Sequence, residues 1–206
     1  MKKLTALSIA LLIGVAAQAQ EFKPFKVNVS VGAAIPVGGG GGGTLFAVEP
    51  KYGITDQLDL GLRLEGAGMA RDVLVAGNTT TGNLKFASSA IVTGTYFLSQ
   101  ESFRPFVGLG TGVYTIGSTD FAYTGTGSNG TSTNGSISAG SVFGGMGRAG
   151  FKTGHFVLGI EYNLLPNSNS IVYSSDATNK IGTAVQSKNS YGSLKVGFDI
   201  GGGRRR

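Results

Sequence analysis

From Phe25 to Ile200 the chain switches every second residue between apolar and polar-or-small side chains, and it does so eight times over. A period of two belongs to the β-strand, and no stretch past the first twenty residues keeps the three-and-four spacing of a helix. Run one is Phe25 to Ile35, with Phe25, Val27, Val29, Val31, Ala33 and Ile35 against Lys26, Asn28, Ser30, Gly32 and Ala34. Run two sets Phe46, Val48, Pro50, Tyr52 and Ile54 against Ala47, Glu49, Lys51 and Gly53. Run three sets Leu58, Leu60, Leu62 and Leu64 against Asp59, Gly61, Arg63 and Glu65. The fourth covers Lys85 to Leu98 and the fifth Phe103 to Ile116, where Val107, Leu109 and Val113 oppose Arg104, Gly108, Gly110 and Gly112. The sixth, Ile137 to Lys152, is rich in glycine. The seventh alternates Phe156, Leu158, Ile160, Tyr162 and Leu164 with Val157, Gly159, Glu161 and Asn163. The eighth, Lys188 to Ile200, ends on Leu194, Val196, Phe198 and Ile200 against Tyr191, Ser193, Lys195 and Asp199.

The connectors alternate as well. Val37 to Gly43, Ala70 to Asn83, Gly117 to Ser136 and Leu165 to Ser187 are long, whereas Thr55-Asp56-Gln57, Ser99 to Ser102 and Thr153-Gly154 are short. An even number of strands with short turns at one end and long loops at the other is the layout of an up-and-down membrane barrel with both termini in the periplasm. A soluble sandwich also alternates but puts its charges outside. Here the charged series is thick with Gly, Ser, Ala and Thr, which suits the crowded interior of an eight-stranded barrel, just wide enough to be filled by side chains. Closure leaves no unpaired edge in lipid. Phe25, Tyr52, Tyr96, Phe103, Phe156 and Phe198 fall near the short-turn ends and are expected to form an interfacial girdle.

Inside such a barrel each charge needs a partner. Glu49, Lys51, Asp59, Arg63, Glu65, Arg104, Arg148, Glu161, Lys195 and Asp199 are the candidate lumen charges, with structural pairing as their role. A turn at Thr55-Asp56-Gln57 predicts paired positions summing to 112, with Glu49 opposite Arg63 and Gly53 opposite Asp59. The register summing to 114 would oppose Glu49 with Glu65 and Lys51 with Arg63. Arg148 is expected diagonal to Glu161.

Met1 to Ala19 carries Lys2 and Lys3, an apolar run and Ala17-Gln18-Ala19, the pattern of a cleaved export signal. Residues 20–203 are then the barrel domain and Arg204 to Arg206 a basic tail. The chain has no cysteine, which excludes a disulfide scaffold. The net charge of +6 lies largely in the signal and the tail, so it does not point to nucleic acid.

Catalytic and cofactor chemistry finds little footing. The one histidine, His155, adjoins a turn with no nucleophile beyond Thr153. Asp56 and Asp59 lie at a turn that favours Asp locally. Gly145-Met146-Gly147-Arg148-Ala149-Gly150 has dinucleotide-loop spacing but continues as strand rather than helix. Gly38 to Gly43 reads as a flexible loop. Asp120 and Asp176 are too scattered for calcium. No catalytic residue, cofactor or metal is assigned. The loop with Phe121 and Tyr123 reads as a polar surface loop.

The segments Glu49-Pro50-Lys51-Tyr52-Gly53-Ile54-Thr55-Asp56, Leu58-Asp59-Leu60-Gly61-Leu62-Arg63, Phe103-Arg104-Pro105-Phe106-Val107-Gly108-Leu109-Gly110 and Gly197-Phe198-Asp199-Ile200-Gly201-Gly202-Gly203 resemble the small outer-membrane β-barrel family of Gram-negative bacteria, akin to OmpA and OmpX barrels. The resemblance implies an all-β, eight-stranded transmembrane barrel in the bacterial outer membrane, monomeric, with lipid and lipopolysaccharide as its partners. It also implies a non-enzymatic envelope or surface-interaction role exercised through the outer loops on an extracellular ligand. Many such barrels end on an aromatic residue read by the insertion machinery, whereas here Phe198 is followed by eight further residues. A narrow solute channel, a lipid-modifying enzyme and a soluble lipocalin-like carrier are the alternatives.

Overall fold

The computed structural model describes residues 22–37, 39–70, 72–75, 78–81, 85–117, 119–124, 132–137, 140–173 and 182–204. The expected export signal and the last two arginines lie outside them. In chain order the strands are β1 Phe22–Pro36, β2 Gly43–Gly53, β3 Leu58–Met69, β4 Asp72–Val75, β5 Asn78–Thr81, β6 Lys85–Phe97 and β7 Phe103–Ile116. They continue with β8 Thr119–Thr124, β9 Ser132–Ile137, β10 Gly140–Thr153, β11 Phe156–Leu164, β12 Ser168–Tyr173, β13 Gly182–Ser187 and β14 Tyr191–Arg204.

Eight of these close an antiparallel barrel in the order β1-β14-β11-β10-β7-β6-β3-β2, each paired with its neighbours and β2 returning to β1. The strand count agrees with the eight runs of the sequence. The β2–β3 ladder keeps positions summing to 112, with Gly53 facing Asp59, Tyr52 facing Leu60 and Ala47 facing Glu65. A one-residue slip would have put every Leu of β3 inside.

Several boundaries differ from the sequence reading. The strands run longer at the upper end, β3 reaching Met69, while Ile137 belongs to β9 and β14 begins at Tyr191 rather than Lys188. Arg148 faces Glu161 directly, not diagonally, because the last turn is the two residues Gly154 and His155, with Thr153 paired to Phe156 and Gly154 at φ 57. β14 also continues past Phe198 to Arg204, which pairs with Phe22. There Gly201 and Gly202 take φ of 83 and 72 beside a register shift in β1 between Lys23 and Lys26, a bulge that residues with a Cβ rarely support.

The largest difference lies above the barrel. Three of the four long connectors are not structureless: they hold β4–β5, β8–β9 and β12–β13. β12-β13-β4-β5 form one four-stranded sheet and β8-β9 a separate hairpin. Short Ser/Thr/Asn-rich segments without sustained alternation give no sequence signal for these strands, because what orders them is pairing with one another.

The barrel is apolar outside and polar inside. Leu109 is 75% exposed, Phe143 68% and Ile160 62%, whereas Arg63 and Asp199 are each 1% exposed. A water-soluble protein buries the first kind of residue and exposes the second, so the solvent of this outer face is hydrocarbon. The aromatic girdle sits at the short-turn end, where Phe156 and Phe198 meet edge-on at 5.9 Å and Phe103 lies 5.2 Å from Phe151.

Candidate functional site

The interior is stratified into three layers. At the short-turn end Phe97 and Phe106 pack edge-on at 5.9 Å inside the barrel. Lys26 stands 5.3 Å and Arg104 4.3 Å from the Phe97 ring. Arg104 is set apart from the other candidate lumen charges. Its guanidinium donates to the Ser99 carbonyl at 3.1 Å and to the Asp56 carbonyl, which ties two short turns together below the lumen.

The middle layer is a continuous charge network. Arg148 makes a two-pronged contact with Glu49, at 2.8 and 2.7 Å, and also donates to Thr95 Oγ1. Arg63 pairs with Glu161. In the ring of eight strands β2 stands four places from β10, and β3 four places from β11. Both arginine–carboxylate pairs therefore span a full diameter of the lumen, and together they cross it.

Neighbouring charges join these two struts. Lys195 bonds both Glu65 and Glu161, the latter at 2.6 Å. Lys26 pairs with Asp59 at 2.6 Å. Lys51 lies 3.6 Å from Glu49 and 3.8 Å from Asp199, which also accepts from Asn28 at 2.9 Å and from Lys152. Thr93 donates to Glu49 at 2.6 Å.

The sequence put these charges on one face and fixed the β2–β3 register, but the positions it set opposite or diagonal to each other are not the shortest ion pairs. It placed Glu49 with Arg63 and Arg148 with Glu161, as neighbours along the wall. The structure instead pairs Glu49 with Arg148 and Arg63 with Glu161, leaving Arg148 at 3.9 Å from Glu161 as a weaker contact. Facing residues on adjacent strands point side by side, whereas a long arginine directed across a narrow barrel meets a carboxylate head-on. Lys26 and Lys152 were missed as network members, although Lys26 shares the parity of Asn28 and Ser30, which is the signal that would have found it.

The upper layer is apolar: Ala34, Leu45, Ala67, Met69, Ile91, Met146 and Leu165 pack with Tyr114 and Tyr191. The two tyrosines join it to the charges below, Tyr191 donating to Glu65 at 2.7 Å and Tyr114 to Asn163 at 2.9 Å. Two cavities lie among these side chains, of about 30 Å³ beside Lys51 and Arg148 and about 10 Å³ beside Glu65 and Tyr114. Each has room for one or two waters at most.

Glycines on the wall make the arginines possible. A Cβ on Gly108 would stand 2.9 Å from Arg148 Nε and 2.7 Å from the Gly94 carbonyl oxygen. Gly108→Val is expected to cost about 1–3 kcal/mol through overpacking and a displaced Arg148. Urea titration in lipid vesicles would read the loss, and an unchanged midpoint would show that Arg148 has slack.

His155 sits in the lower turn, with Nδ1 donating to the Asp199 carbonyl at 2.7 Å and no hydroxyl or carboxylate bonded to its ring among the described residues. Nor do the described residues gather a metal-binding group of His, Asp and Glu side chains.

A closed eight-stranded barrel with lipid-facing apolar strands, a filled lumen and short turns at one end decides the fold. The fold is that of the small outer-membrane barrels. The structure of OprG, an outer membrane protein from Pseudomonas aeruginosa, superposes on this barrel with a TM-score of 0.60 at 14% identity, covering 87% of this chain and 97% of that one. Neisserial surface protein A matches at TM-score 0.48 and 14% identity over 85% of this chain and 96% of its own, and the N-terminal barrel domain of Pseudomonas aeruginosa OprF at 0.41 and 14% over 87% and 100%. No protein-family model matches the sequence, and neither does any curated protein. Barrels of this type carry their short turns at the periplasmic end and longer segments outside; here β4–β5, β8–β9 and β12–β13 lie at the end opposite the short turns.

Proposed function

We propose that this protein is a non-enzymatic barrel of the bacterial outer membrane whose lumen is a structural core and whose work is done by its extracellular strands. The observation that carries this reading is the pair of arginine–carboxylate struts across opposite strands, β2 to β10 and β3 to β11. A passage crossed by a buried ion-pair network, with an aromatic layer below and an apolar layer above, supports no steady flow of ions. What is left to act is the polar strand collar that stands above the membrane on a rigid scaffold. An envelope or surface-interaction role through an extracellular ligand, in contact with lipid and lipopolysaccharide around the barrel, follows from that division of labour.

A cysteine-free chain makes the test direct. In intact cells a membrane-impermeant thiol reagent should label Gly41→Cys, exposed in the connector between β1 and β2, but label Gln100→Cys, in a periplasmic turn, only after the outer membrane is permeabilised. Equal labelling of both in intact cells, or recovery of the chain in the aqueous phase without detergent, would overturn the reading.

A narrow channel is the second reading, favoured by one observation: Arg63 lies 3.7 Å from Glu65, and Arg148 3.9 Å from Glu161, as well as from their cross-lumen partners. Each strut therefore has a partner to which it can turn along the wall. Planar-bilayer recordings separate the two readings, since the structural core predicts a silent wild-type protein and the channel predicts stable, ion-selective openings.

A further inference from the structure

Five carboxylates of the lumen network, Glu49, Asp59, Glu65, Glu161 and Asp199, stand against six cations among the described residues, Lys26, Lys51, Arg63, Arg148, Lys152 and Lys195. The short pairs show which cation is in excess. Asp59 takes Lys26, Asp199 takes Lys152, Glu49 takes both prongs of Arg148, and Glu65 and Glu161 share Lys195 and Arg63. Lys51 is left at 3.6 Å from Glu49 and 3.8 Å from Asp199, beyond hydrogen-bond length from either. Its side chain is only 7% exposed. A buried ammonium so placed feels two carboxylates that are already engaged and makes a hydrogen bond to neither, a costly arrangement in a low-dielectric interior.

Lys51 lines the larger of the two cavities, of about 30 Å³, together with Arg63, Arg148 and Lys195. Glu49 and Glu161 line it too, each already bonded to an arginine from across the barrel. The Nε atoms of Arg63 and Arg148 are buried without a hydrogen-bond partner. Four cations from β2, β3, β10 and β14 therefore converge on one small space, and they do so only once the barrel has closed.

We propose that this cavity is a binding site for a small monovalent inorganic anion of the size of chloride or bromide, held by Lys51 and completing the charge balance of the lumen. Chloride is little larger than a water molecule and fits a space with room for one or two waters. Sulfate, phosphate and sugar acids are too large for it. The anion supplies the acceptor that Glu49 and Asp199 do not give Lys51, and it sits among cations rather than beside a free carboxylate. Because the four cations come together only in the closed barrel, the anion binds the folded chain and not the unfolded one.

This inference rests on the reading of the lumen as a structural core, which the planar-bilayer recordings test separately; anion binding is read from stability. The barrel, folded in lipid vesicles, is unfolded in urea at constant ionic strength while chloride is exchanged stepwise for gluconate, an anion too large for the cavity. The wild-type midpoint should rise with chloride concentration, since a ligand that binds only the folded state stabilises it by mass action. Lys51→Met, of similar length but uncharged, should show no chloride response and in gluconate should be at least as stable as the wild type. A flat wild-type response, or an equal rise in both proteins as a bulk salt effect, would overturn the site. So would a loss of stability of Lys51→Met in gluconate, which would make Glu49 and Asp199 sufficient partners for Lys51. Should that variant fail to fold, wild-type crystals grown in bromide decide the matter: an anomalous peak in the cavity beside Lys51 Nζ supports the site, and ordered water alone there refutes it. A bromide peak without chloride-dependent stability marks an adventitious ion only and refutes it as well.

Discussion

Glu161→Leu is expected to destabilise the barrel by about 3–5 kcal/mol, because it removes one carboxylate from a buried cluster and leaves Arg63 and Lys195 to share Glu65. Glu161 receives Arg63 and Lys195, and Arg148 lies 3.9 Å away, so no other lumen carboxylate among the described residues serves as many cations. The measurement is urea unfolding in lipid vesicles, followed by the difference in gel mobility between folded and unfolded chains. Pairing the change with Arg63→Met should recover much of the loss, since two matched apolar residues in place of a buried ion pair are often neutral or better. A single-variant loss below about 1 kcal/mol would mean that water screens the network, because exposed pairs are worth no more than that.

Leu109→Arg separates a lipid-facing barrel from a water-soluble one. At 75% exposure, Leu109 near the middle of β7 would tolerate arginine in water with a change within about 0.5 kcal/mol. At the centre of a bilayer the same change is expected to cost about 2–4 kcal/mol. Folding into vesicles compared with the wild-type chain gives the answer, and a neutral result would place that face in water.

How much was readable beforehand follows from which interactions are local. Parity alone assigned Leu60, Val107 and Ile160 to the outside and Asp59, Arg63 and Glu161 to the inside, since adjacent residues of a strand point to opposite faces. A three-residue turn then fixed the β2–β3 register, and charge pairing chose between two candidate sums. Partner choice was not readable in this way. Glu49 and Arg148 are separated by 99 positions and meet only because the barrel closes, so no pattern within a hairpin specifies the contact. Arg104 has the parity of a lumen residue but lies at the strand start, where turn carbonyls compete for its guanidinium. Strands such as β5, with the sequence Asn-Thr-Thr-Thr, have neither alternation nor apolar content, and the β4–β13 ladder that orders this sheet is a long-range event.

The struts across the lumen also impose an order on assembly. Glu49 and Arg63 are in place once β2 and β3 have paired, but their partners across the lumen, Arg148 and Glu161, arrive only with β10 and β11, roughly a hundred residues later. A half-made barrel would have to keep these charges wet, so its interior cannot dry until the second half of the chain has come round. Insertion and dehydration are thereby coupled to completion, and a truncated or misregistered chain is left with charges that hold it open to water and to the proteases of the envelope.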